Sequence, residues 1–247
     1  MSWCPDRGKQ LANRESREIP STPAYKTCYP LHMIKTILFD IGGVITHTDF
    51  KTIYSNFASR IGLDLQVVIQ YHRKHMDDLL LGKITIEQFW QDMRDSGGNS
   101  SLNFENIWID EGVKNRKIDN ELLNIILELR KKYSVGTLTN LTESRFIIDQ
   151  QANLYSHFDY QILSYKEHLQ KPDPNFYHLA LAKTSMRPEE AVFIDDKEQH
   201  VTAANVLGIH GIVYLNNSQL LKDLNELGVA MEYVPQNIGA QLNTKSD

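Results

Sequence analysis

Residues 35–46 read KTILFDIGGVIT, and their reading decides the fold. The run IKTILF (34–39) is apolar and β-favouring, Asp40 follows it, and Gly42-Gly43 break the chain directly afterwards. A short apolar run closed by a glycine break fits a buried parallel strand better than an amphipathic helix. An aspartate at the end of such a strand, on a glycine turn, is placed as a nucleophile would be. Two residues on, where a helper carboxylate would be useful, stands Gly42.

Working outward, helical patterns dominate from here to about residue 132. KTIYSNFASRIG (51–62) ends at a glycine suited to the left-handed position after a helix. The stretch 64–82 starts on Asp64, a good N-cap, and stops at Gly82. In 85–95, Thr85 and Gln88 match a capping box, and residues 99–101 read as a polar loop. The stretch 118–132 sets Leu122, Ile125, Ile126 and Leu129 on one face and ends in Arg130, Lys131 and Lys132, where positive charge suits the helix dipole.

The pattern then changes to strand–helix alternation. SVGTLT (134–139), YQILS (160–164), AVFI (191–194) and GIVYL (211–215) read as strands. Helices are expected over 143–155, after Asp173 with Pro174 in the first position, from the Asp195-Asp196 pair to Gly208, and over 217–227. Repeated units of this kind imply a parallel sheet covered on both faces, an α/β, Rossmann-like core. About 90 residues separate the first strand from the second, too many for one crossover, so a small helical insertion is expected. The expected organisation is an irregular, disordered leader (1–32), a core of 33–46 and 116–228, a helical cap of 47–115, and a tail of 229–247.

Composition excludes some functions. The chain has 247 residues, 41% hydrophobic and 23% charged, with a formal net charge of -5. That balance argues against a general nucleic-acid binder, which needs a basic face. No apolar run approaches a membrane span of about 18 residues. Cys4 and Cys28 are the only cysteines, lack zinc spacing, and read as unpaired thiols in a reducing compartment. The first 32 residues lack a signal-peptide core, so a cytoplasmic location is expected.

In open parallel sheets ligands sit beyond the carboxyl ends of the strands. Four blocks carry polar residues at or near such ends, in order: LFDIGGV with Asp40, TLTN with Thr139 and Asn140, LQKPDPNFY with Lys171, and VFIDDKEQH with Asp195 and Asp196. Their order and spacing resemble the haloacid dehalogenase (HAD) superfamily, in the branch with a small helical (C1) cap inserted after the first motif. The resemblance covers roughly residues 34–215. FD-x-G-[NG]-V and the cap phrase LLLGKITIEQFW (79–90) look like small HAD phosphatases, among them the α-glucose-1-phosphate phosphatase-like proteins.

The resemblance implies Mg²⁺-dependent hydrolysis of a small phosphorylated metabolite, such as a sugar phosphate. Asp40 would attack phosphorus and form an aspartyl-phosphate, splitting one hard step into two. Mg²⁺ takes oxygen ligands and keeps several waters, so one or two carboxylates plus a substrate oxygen suffice: Asp40 and Asp195 first, Asp196 as a ligand or as support for them, and the Gly42 carbonyl as a further ligand. Thr139 through its hydroxyl and Asn140 through its backbone N–H would hold a phosphate oxygen. Lys171 would be a point charge beside phosphate and carboxylates. His47 is a candidate for substrate contact, and Phe50 for shaping the entrance.

Two positions depart from the superfamily pattern. Where a second aspartate usually serves as acid–base, this chain has Gly42. A general acid–base contributes typically about 10²–10⁴ in rate. Three readings stay open: a phosphatase whose leaving group needs little help, or is helped by His47 or by the substrate; a catalytically weak phosphate-binding or regulatory protein; and, third, a 2-haloacid dehalogenase. The dehalogenase reading fits Gly42 and the adjacent acidic pair least. The second departure is His200, where an Asn is usual; it is expected either to cap or pack its helix or to alter the support of the metal.

Overall fold

The computed structural model describes residues 33–95, 97 and 101–232. The expectations for residues 1–32, including Cys4 and Cys28, for residues 99 and 100 of the polar loop, and for the tail beyond 232 lie outside the described residues.

A five-stranded, fully parallel sheet forms the core. Its strands are β1 (Thr36–Phe39), β4 (Ser134–Thr139), β5 (Tyr160–Leu163), β6 (Ala191–Asp195) and β7 (His210–Val213), in the spatial order β5-β4-β1-β6-β7. The strands are apolar on both sides because helices cover both faces. Ile37 and Phe39 point to one face, where they meet Leu122, Ile125 and Ile126 of α5 (Asn120–Leu129) and lie in one cluster with Leu220 and Leu224 of α10 (Asn217–Glu226). Leu38 points to the other, with Phe176, Tyr177 and Ala180 of α8 (Pro174–Thr184) and Ala204 of α9 (Glu198–Val206). This alternation is the period-2 geometry of a strand read directly from the sequence.

Between β1 and α5 the described residues form four helices, α1 (Phe50–Ile61), α2 (Leu65–Leu80), α3 (Ile86–Asp95) and α4 (Phe104–Lys114). The local signals act as read. Asp64 accepts from Gln66 and Val67 N–H, Gly62 adopts φ 75°, and Thr85 and Gln88 exchange the two capping-box bonds at 2.9 and 3.1 Å. These helices have their own core of Phe57, Phe89, Trp90, Phe104 and Trp108, with ring centroids of Phe57 and Trp108 5.2 Å apart, edge to face.

A two-stranded antiparallel ribbon, unexpected from the sequence, frames the insertion. β2 (Thr46–Thr48) pairs with β3 (Arg116–Ile118), and these strands lead into and out of the four helices. The helix expected over 118–132 is therefore shorter: Ile118 belongs to β3, Asp119 caps α5 through Leu122 N–H, and Leu129 ends it. Likewise the helix over 143–155 stops at Gln151 (α6, Glu143–Gln151), and a 3-10 turn, Leu154–His157, follows. Among the described residues, no helix is long and apolar enough to cross a membrane.

Where the inserted helices rest on the core, Gly112 of α4 allows α6 to approach. A Cβ at Gly112 would lie 2.3 Å from Ile148 Cδ1, and Ile148 packs into the cluster of the inserted helices. A serine closes the nearby loop after β4: Ser164 accepts from Leu141 N–H at 2.9 Å and donates to its carbonyl at 3.2 Å.

Candidate active site

The parallel register sets the carboxyl ends of β1, β4 and β6 side by side. Phe39 pairs with Ile194, and Asp40 N–H continues the ladder to the Ile194 carbonyl at 2.8 Å. Asp40 and Asp195 therefore emerge at the same level on adjacent strands. On the other side of β1, Thr139 ends β4 and is buried.

Lys171 reaches this point from the loop before α8. Its backbone is fixed by Asn140, whose side chain accepts from Lys171 N–H at 2.8 Å and donates to the Lys171 carbonyl at 2.9 Å. Asp173 then caps α8 behind Pro174. The ammonium group lies 3.0 Å from Asp40 Oδ1 and 2.6 Å from Asp195 Oδ2. A lysine only 2% exposed is tolerated because its charge is met on two sides.

Asp195 is held on both oxygens. Oδ2 accepts from Lys171 and from His200 Nδ1 at 2.9 Å, and Oδ1 accepts from Lys197 N–H at 2.8 Å. Burial opposes its ionisation, but the His200 bond and the Lys171 charge outweigh it and hold the carboxyl at about 2. His200 is thus neither a cap nor mere packing. It is buried, its ring supports Asp195, and its carbonyl accepts from Tyr177 hydroxyl at 2.9 Å.

Asp196 completes the cluster. Ligand oxygens of Asp40, Asp195 and Asp196 lie within 4.8 Å of one another. Partial burial, then the nearby charges of Asp40 and Asp195, push the Asp196 carboxyl above its ordinary value. The carboxylate occupies the space that a side chain at Gly43 would need: a Cβ there would sit 2.3 Å from Asp196 Oδ2, and φ is +86°. Lys171 bonds two of these three carboxylates, and an all-oxygen donor set of this kind suits a hard divalent cation.

Gly42 forms a backbone bridge with Thr46, and a Cβ at Gly42 would meet nothing within 4 Å. His47 is exposed on β2 and lines an open groove with Gly43, Asp119, Glu121 and Tyr214. Among the described residues, the structure places it in this groove and not among the contacts of Asp40 or Lys171.

A cavity of about 150 Å³ lies beside the cluster, between the inserted helices and the core. One wall is apolar, with Phe50, Ile53, Met76, Leu80 and Trp108, and the other carries Thr48, Asn140, Thr142 and Arg145. Asn140 belongs to both cavity and cluster. His72 is buried in the cavity wall, where burial pushes its imidazole down to about 4. The hydroxyl of Tyr54, itself pushed up to about 12 by burial, shares a hydrogen bond with His72 Nδ1. The strand-end residues are legible in the sequence; His72 and Arg145 are not, because they sit in ordinary-looking helical stretches.

Residues 34–208 match the family model of haloacid dehalogenase-like hydrolases. The chain belongs to this family. As a HAD-like hydrolase it is 28% identical over 223 residues to bifunctional epoxide hydrolase 2 of Sus scrofa, a match covering 82% of this chain and 40% of that protein. It thus spans about 40% of the length of that relative. It is also 29% identical over 188 residues to D-ribitol-5-phosphate phosphatase of Bacteroides thetaiotaomicron, covering 71% of this chain and 89% of the relative. The fold is shared with a HAD family enzyme of Bacteroides thetaiotaomicron solved with magnesium and inorganic phosphate (TM-score 0.66, 24% identity, 76% of this chain and 98% of that one).

Proposed function

We propose that this HAD-like hydrolase is a Mg²⁺-dependent phosphatase of small phosphate monoesters, working through an aspartyl-phosphate on Asp40. The observation that carries the reading is the position of Lys171, bonded at once to Asp40 and Asp195, two members of the three-carboxylate cluster. The phosphatase among its relatives supports it.

Asp40, Asp195 and Asp196, with the Gly42 carbonyl, would hold Mg²⁺. When bound, the ion neutralises phosphate oxygens and the surplus charge of the cluster. Lys171 places a positive charge beside Asp40, where the negative phosphoryl group must come. Thr139 hydroxyl and Asn140 backbone N–H would bind a phosphate oxygen and orient phosphorus for in-line attack. An Asp40 carboxylate oxygen forms the new O–P bond as the ester P–O bond breaks, and the leaving oxygen takes a proton. Water then attacks phosphorus, the Asp40–phosphate bond breaks, and inorganic phosphate leaves with the oxygen of water.

With Gly42 where an acid–base would stand, the reading requires leaving groups that depart with little help, or that carry their own proton donor. The same glycine supports a second reading, a slow enzyme that binds phosphate more than it turns it over. Turnover of p-nitrophenyl phosphate and of small alkyl phosphates, with and without Mg²⁺, tests the proposal. Mg²⁺-dependent release of phosphate by wild type and its loss in Asp40→Asn are expected. Equal inactivity of both proteins on every ester would leave only the second reading.

A further inference from the structure

The polar wall of the cavity contains a charge imbalance. Asp149 of α6 is fully buried and faces two guanidinium groups, Arg116 of β3 and Arg145 of α6. Tyr155 hydroxyl donates to its other oxygen at 3.2 Å. Arginine cannot shed its proton, so two positive charges are held against one negative charge among the described residues. An uncompensated buried charge is costly.

Arg145 is the member of this cluster that lines the cavity. Its side chain is 15% exposed, whereas that of Arg116 is 4% exposed. Nε donates to Asp149 Oδ1 at 3.3 Å, one terminal nitrogen to Thr46 Oγ1 at 2.8 Å, and the other to Thr48 Oγ1. These bonds use three of the five N–H groups of a guanidinium. The remaining two have no acceptor among the described residues. They belong to a side chain fixed by Thr46, Thr48 and Asp149, so it is preorganised for a ligand.

The cavity connects this charge to the phosphate-binding end. Asn140, bonded to Lys171, and Thr142, the N-cap of α6, are lining residues, and Arg145 follows one turn of helix later, roughly 5 Å along the axis. The volume limits the occupant. A cavity of about 150 Å³ admits a group about the size of benzene, hence about six non-hydrogen atoms.

We propose that Arg145 selects the leaving group: the substrate is a small phosphate monoester whose organic part carries a second anion, a carboxylate or a second phosphoryl group, that pairs with the Arg145 guanidinium. This rests on the phosphatase reading and names its substrate class. The apolar wall then packs on the carbon skeleton between the two charged ends.

The test compares kcat/KM within matched pairs. 3-Phosphoglycerate is set against glycerol 3-phosphate, which has a hydroxymethyl in place of the carboxylate. Propane-1,3-diol bisphosphate is set against its monophosphate. In wild type, at least one charged member is expected to exceed its neutral twin by about tenfold or more, mainly through KM, and the arm that does so identifies the anion. Arg145→Gln is expected to abolish that ratio, and Arg145→Lys, which keeps the charge, to restore a large part of it. A loss caused only by loosened β2 and α6 would not distinguish the members of a pair. Wild-type protein with no preference in either arm overturns the proposal without any variant, and so does a preference that survives Arg145→Gln. Activity on p-nitrophenyl phosphate separates the two levels. If it is present without discrimination, the Arg145 inference alone fails; if wild type hydrolyses no phosphate ester, the phosphatase reading fails with it.

Discussion

Lys171 Nζ stands 3.0 Å from Asp40 Oδ1, in a site where the lysine side chain has no exposure. The same ammonium bonds Asp195 at 2.6 Å. One positive charge therefore holds two strand-end carboxylates together, with Asp196 close by. Breaking a buried pair by removing one partner typically costs about 3–5 kcal/mol. Lys171→Ala is expected to lose thermal stability on that scale and at least about a hundredfold in phosphatase turnover. Its melting temperature should rise more on adding Mg²⁺ than that of wild type, because a cation then supplies the missing charge. Melting curves with and without Mg²⁺ check this.

The glycine turn after Asp40 gives opposite predictions for adjacent residues. A side chain at Gly42 meets open space, so Gly42→Asp is expected to fold as wild type does. It is also expected to raise kcat for alkyl phosphates about tenfold or more relative to p-nitrophenyl phosphate, whose leaving group needs no proton. Equal effects on both substrates would mean that protonation does not limit the rate.

Gly43→Ala forces a Cβ against Asp196 Oδ2 at a φ of +86°. The exposed Asp196 side chain must move away. The expected result is a higher Mg²⁺ concentration for half-maximal activity, by about tenfold or more, with a smaller change in melting temperature than in Lys171→Ala. A Mg²⁺ titration of turnover measures it.

His72 makes stability depend on pH. Its folded value, about 4, lies below the unfolded value of 6.5 because burial disfavours the charged ring. Between these values the unfolded chain binds more protons than the folded one, so stability rises with pH. The contribution is complete above about pH 6.5 and is lost as pH falls toward 4, to a maximum of about 3 kcal/mol. Urea unfolding at pH 7 and pH 5 should show this loss in wild type and a smaller one in His72→Phe.

Much of this architecture is legible in the sequence, for physical reasons that differ by element. The strands are apolar runs because both faces of a parallel sheet are covered, and Asp40, Asp195 and Asp196 stand out as charges after such runs. Asp64, Thr85–Gln88 and Asp173 mark helix starts because their caps are local. The β2–β3 ribbon is not legible: three-residue strands have no usable period, and their pairing joins Thr46 to Ile118 across the whole insertion. The Arg116–Asp149–Arg145 cluster is hidden for the same reason, since its members are ordinary surface types until the fold buries them. His200 could be weighed as a departure from a pattern, but only the structure brings its ring to Asp195. His47 is locally plausible next to the nucleophile turn, yet strand alternation on β2 sends Thr46 and Thr48 toward Arg145 and His47 into the open groove.

The central claim is that Asp40 carries the phosphoryl group during turnover. The most direct measurement is mass spectrometry of acid-quenched protein during hydrolysis of a small phosphate ester with Mg²⁺. The account predicts one added phosphoryl group, labile to hydroxylamine as an acyl phosphate is, on the peptide containing Asp40, and its absence along with turnover in Asp40→Asn. Undiminished turnover by Asp40→Asn, or a phosphoryl group found on another residue, would contradict it.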